Sequence, residues 1–66
     1  MSHKLIEEIN KFSSFQYDET TKRVRNTKSE NMANIEEFLE IAYILDNHHI
    51  RFEMGNNYSM KIIGKR

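Results

Sequence analysis

N-I-E-E-F-L-E-I-A-Y-I-L-D-N-H-H, residues 34 to 49, carries apolar side chains at helical spacing along its whole length. Wound as a helix, it places Ile35, Phe38, Leu39, Ile41, Ala42, Tyr43 and Leu45 on an arc of roughly 200°, about twice the stripe of an ordinary surface helix. Ile44 falls outside that arc, among Glu36, Glu37, Glu40 and Asn47. A single neighbouring layer covers too little of such a helix, so either a sheet wraps it or another chain does. Asn34-x-x-Glu37 reads as a capping box at its start, and His48 and His49 suit the negative end of its dipole.

Working outward, residues 3 to 12 place Leu5, Ile6, Ile9 and Phe12 on an arc of about 120°, an amphipathic helix with Ser2 as N-cap. Next, F-Q-Y-D-E-T-T-K-R-V-R-N alternates Phe15 and Tyr17 with polar residues, turns, and resumes the period of two at Val24. Asp18 is placed to accept from the backbone of Thr20 and Thr21, with Lys22 closing the loop in a left-handed conformation. Pairing Asp18 with Arg23 then sets Tyr17 opposite Val24 and Phe15 opposite Asn26. These dozen residues resemble the C-terminal hairpin of the immunoglobulin-binding domain of streptococcal protein G, which implies a turn geometry and nothing about antibody binding.

After the central helix, I-R-F-E-M-G-N-N-Y-S-M-K-I-I reads as a second hairpin. A loop from Gly55 to Asn57 puts Met54 opposite Tyr58, Phe52 opposite Met60 and Ile50 opposite Ile62, all on one face, with Asn57 left-handed. The order is αββαββ within one small α+β domain spanning residues 1 to 66. Its simplest assembly is a four-stranded antiparallel sheet with two helices on one face, the second helix in the middle. LAGLIDADG-type homing endonucleases share the order, but their helix motif and its acidic residue are absent.

Composition narrows the function. The chain has 66 residues, no cysteine and a formal charge of zero. A core of this size is marginal and usually carries a disulfide, a metal or a partner subunit. Without thiols, what is left is an unusually efficient core or an oligomer, and a homodimer is the oligomer expected. No apolar run reaches a membrane span and the N-terminus alternates charge with apolar residues, so no membrane role is expected and the localisation reads as cytoplasmic. Abundant Ile, Asn and Lys with no proline suggest a small bacterial or phage gene.

No group of residues favours catalysis. His48, His49, Asp46 and His3 have metal-ligand chemistry, but adjacent histidines on a helix diverge by about 100° where zinc sites use a spacing of three or four. Ser13, Ser14 and Ser59 lack any nucleophile motif, and with Gly55 and Gly64 as the only glycines there is no phosphate-cradling loop. No enzyme, cofactor or metal is therefore expected. Two binding readings stand. The first is a regulator or inhibitor that occupies another protein's surface through Ile41, Ile44, Tyr43, Glu37, Glu40 and His48. The alternative is nucleic-acid binding through the basic hairpin residues Lys22, Arg23, Arg25 and Lys28, which otherwise protect an exposed strand edge.

Overall fold

A computed structural model describes residues 1 to 65. Helix α1 (His3–Asn10) leads into strands β1 (Phe15–Asp18) and β2 (Arg23–Asn26); a short 3-10 turn at Glu30–Met32 precedes α2 (Ile35–Asn47), followed by β3 (Ile50–Met54) and β4 (Met60–Lys65). Antiparallel pairing joins the four strands in the order β1-β2-β4-β3. The α+β class and the αββαββ order read from the sequence are both present.

The first hairpin has the expected register, with Phe15 opposite Asn26, Tyr17 opposite Val24 and Asp18 opposite Arg23. Its loop closes on Asp18 Oδ1, which accepts from Thr20 N–H (3.0 Å) and Thr21 N–H (3.4 Å), and Lys22 is left-handed at φ 58°. Local chemistry alone sets this turn.

The second hairpin departs from expectation by two residues. Met54 pairs with Met60 and Phe52 with Ile62, so the loop runs from Gly55 to Ser59. Asn57 is left-handed as expected, but so is Tyr58, at φ 59°. The reason is tertiary: Tyr58 leaves the ladder and meets Phe38 edge-on, 5.5 Å between ring centres, while Phe38 also lies 6.2 Å from Phe15. Met60 takes the place opposite Met54 and is fully buried. Because the shift is even, it leaves the apolar face unchanged. Ile50 is opposite Lys65 rather than Ile62, since the ladder shifts between Arg51 and Phe52 and leaves Ile63 as an extra residue. Gly64 follows at φ 143°, where a side chain would be strained.

One core forms against one face of the sheet, from Leu5 and Ile9 of α1, Ile41 and Leu45 of α2, and Phe15, Val24, Ile50 and Met60 of the strands. Helix α1 lies along β1 and α2 chiefly along β3, so α2 sits toward an edge and reaches the far side through Phe38. Asn10 Oδ1, at the end of α1, accepts the Tyr17 N–H at 2.8 Å and so closes part of the outer edge of β1. The opposite face of the sheet is open and charged.

Candidate functional site

The structure divides the expected contact residues of α2 among three surroundings. Ile41 is completely buried and belongs to the core, so it is removed from any contact surface. Glu37 is also committed internally: Oε1 accepts the Ser14 N–H and Oε2 the Ser13 hydroxyl, both at 2.9 Å. The capping box is therefore half formed. Asn34 Oδ1 accepts the Glu37 N–H at 3.1 Å, but the Glu37 carboxylate turns to the α1–β1 connection instead of back to Asn34. Ile44, expected on the acidic side, is half-buried against the core and lines a shallow groove between the helices with Phe12 and Glu40. His48 lines a separate hollow of about 320 Å³ at the other end of the molecule, with Leu5, Ile50 and Ile62.

Tyr43 is the apolar residue of that set that remains outside, 67% exposed. It does not stand alone. Leu39 (60%) and Ile35 (44%) lie one and two turns before it on the same side of α2, and Met32 (68%) shortly precedes the helix. Leu39 and Tyr43 border a shallow, largely apolar hollow with Glu40 and Ile44. The sequence placed Ile35 and Leu39 on the wide arc, but periodicity alone did not say which part of it the sheet would cover. The spacing of four through 35, 39 and 43 was the available signal.

The basic hairpin is also divided. Lys22 Nζ is 2.7 Å from Glu19 Oε1, which raises the lysine's pKa through hydrogen bond and charge and lowers that of Glu19. Arg25 Nε donates to Asp18 Oδ2 at 3.1 Å. Desolvation opposes ionisation of Asp18, but the backbone N–H groups of Thr21 and Thr20, with the Thr21 side chain and Arg25, outweigh it and hold the carboxyl below its ordinary value. Lys28 lies beyond β2, and its backbone carbonyl accepts from Asn57 Nδ2 at 3.2 Å. Arg23 forms no ion pair among the described residues. Nor do these residues guard an edge: β2 is an inner strand, flanked by β1 and β4.

Arg23 and Arg25 project from the open face beside the β3–β4 loop, where they line a polar hollow of about 470 Å³ with Asn56 and Ser59. Among the described residues, no group of three or more His, Asp or Glu is arranged to hold a metal ion, and no helix is long and apolar enough to cross a membrane. Comparison with protein-family models, curated proteins and solved structures finds no significant match to the chain.

Proposed function

We propose that this chain is a small protein-binding module, a regulator or inhibitor of bacterial or phage type that acts in the cytoplasm by occupying another protein's surface, with no chemistry of its own. The observation that supports it is the outer stripe of α2, where Ile35, Leu39 and Tyr43 stand exposed at successive turns with Met32 beside the helix start. Large apolar side chains scattered singly need no explanation, but an aligned row on a rigid helix is the form of a contact surface. Exposed Glu36 and Glu40 run along one side of the stripe and give it a polar margin of the kind that borders an apolar interface centre.

The same stripe suits a two-fold homodimer, in which each copy presents the same patch to the other. Leu39→Lys places a charge in its middle without entering the core, so folding survives and contact fails. The expected result is self-association in sedimentation at micromolar concentration, or a protein held specifically from nuclease-treated bacterial lysate, in either case lost in Leu39→Lys. Tyr43→Ala should weaken the same contact by about tenfold. A monomer that retains no protein, or a Leu39→Lys chain that behaves as the unaltered one, would overturn the reading.

A further inference from the structure

The geometry points to a phosphate-binding site on the open face of the sheet, built by Arg23 and Arg25 of β2 and the loop that joins β3 to β4. We propose this site independently of the α2 stripe, which lies on a different element.

The first ground is the charge around Arg23. Its strand register puts Lys61 directly opposite on one side, a like charge that destabilises the pair. Opposite on its other side is Asp18, whose carboxylate is directed to Arg25 and to the turn of the first hairpin. Arg23 is therefore a cation beside a cation, with no ion pair among the described residues. Lys61 has Glu53 opposite on its far side, so the row is balanced in charge, yet among the described residues the Arg23 guanidinium is left without an ion-pair partner of its own; an anion between the two arginines supplies one.

The second ground is Gly55. Its φ of −122° and ψ of −166° suit any residue, so glycine is not required there by the backbone. What it permits is close approach: a Cβ on Gly55 would stand 3.0 Å from Arg23 Nη1 and 2.6 Å from Ser59 Oγ, so both side-chain ends would have to swing away from the loop. The bare backbone lets the guanidinium and the hydroxyl settle against the loop together.

The third ground is the support behind the loop. Asn26 Nδ2 donates to Asn57 Oδ1 at 3.3 Å, Asn57 Nδ2 donates to the Lys28 carbonyl, and Gly55 N–H donates to the Ser59 carbonyl at 2.8 Å. The Asn26 side chain and the Lys28 carbonyl just past β2 thus tie the loop to the strand that carries both arginines.

No carboxylate lines this hollow. Its donors are two guanidinium forks, a hydroxyl and an amide, arriving from different sides of a space that admits a tetrahedral oxyanion. Arg25 keeps the Nη end of its fork beyond the Nε bond to Asp18. With no aromatic residue among its walls, the site can grip a phosphate but cannot stack a base, so recognition ends at the phosphate and its ester.

The test is titration of the ¹⁵N-labelled chain, at constant ionic strength, with inorganic phosphate, with a short single-stranded oligothymidylate lacking terminal phosphates, and with acetate. Saturable shifts at the amides of Gly55 and Ser59 and at the Nε of Arg23 are expected with phosphate or with the oligonucleotide. Arg23→Gln should weaken that response by about ten- to a hundredfold, and Gly55→Ala should weaken it by displacing the guanidinium. Lys4→Gln, on α1, should leave it unchanged, and the amide spectrum of each variant establishes that it is folded. Saturation at lower concentration by the oligonucleotide identifies a polymer backbone as the source; saturation by inorganic phosphate alone identifies a small phosphorylated ligand. Equal response to acetate, an unaltered response in Arg23→Gln, or no saturable shift with either phosphate compound would overturn the assignment.

Discussion

Glu37 shows how a residue chosen for one local task can be taken over by a longer-range one. Its position three residues after Asn34 suits a reciprocal cap, yet its carboxylate holds Ser13 and Ser14 instead. Ser14 is nearly fully buried, and its carbonyl accepts the Thr27 N–H at 2.9 Å, so one short segment ties α2, β1 and the end of β2. Glu37→Ala leaves the Ser14 N–H without an acceptor in a place water reaches poorly, and the expected loss is about 1–3 kcal/mol in urea unfolding. A loss no larger than that of Glu36→Ala, on the exposed side of the same turn, would show the tie to be without weight. His49 offers the opposite sign. It follows the C-cap of α2 at φ 58°, a conformation that glycine adopts without cost and a residue with a Cβ does not. His49→Gly is expected to raise stability by about 0.5–1 kcal/mol, read as a higher urea midpoint at unchanged slope.

At the scale of elements, the sequence was informative where structure is set by neighbours in the chain. The first hairpin was legible to the residue because Asp18, the two threonines and Lys22 settle the turn among themselves. The second was legible in its face and not in its length, since loops differing by two residues satisfy the same alternation, and Tyr58 is drawn out of the ladder by a ring on α2. The helices were evident from their period, but which part of the α2 arc meets the sheet depends on the sheet's position, so Ile41 could not be told from Leu39 as core or surface. The basic cluster was visible while its division was not, because strand order decides that Arg23 and Arg25 stand on an inner strand. The Asp18 turn also carries a pH dependence of known sign. Its carboxyl titrates below the ordinary value of 3.8 in the folded chain, so the stabilisation is present above that value and lost as pH falls through the lower, folded one. Asp18→Asn should therefore narrow the gap in melting temperature to the parent chain as the solution is acidified from about pH 7 toward about pH 2. A gap that stays constant across that range would show that the carboxylate charge contributes nothing to the turn.

The whole molecule is two αββ units joined along a short seam. Strands β2 and β4 share the pairs Arg23 with Lys61 and Val24 with Met60, extended by the Ile62 N–H donating to the Lys22 carbonyl at 2.8 Å. So short a ladder would not hold two independent halves together, but neither unit has a core of its own: the buried cluster draws on both helices and all four strands. Met60 lies at the centre, opposite Val24 on one side and Met54 on the other, with no exposed surface. A chain of 66 residues has about 3–10 kcal/mol of stability in total. Met60→Ala removes roughly 2–5 kcal/mol through lost burial and the cavity left behind, which takes most of that margin. If the seam makes one cooperative unit, the slowest amides of both hairpins exchange through the same global opening and their protection falls together by the same free energy in the variant. Gln16 and Arg25, directly opposite in the ladder, report for the first hairpin, and Glu53 and Lys61 for the second. Loss of protection confined to the second hairpin, with Gln16 and Arg25 unchanged, would mean that the first αββ unit stands without its companion and that the shared core is not what binds them.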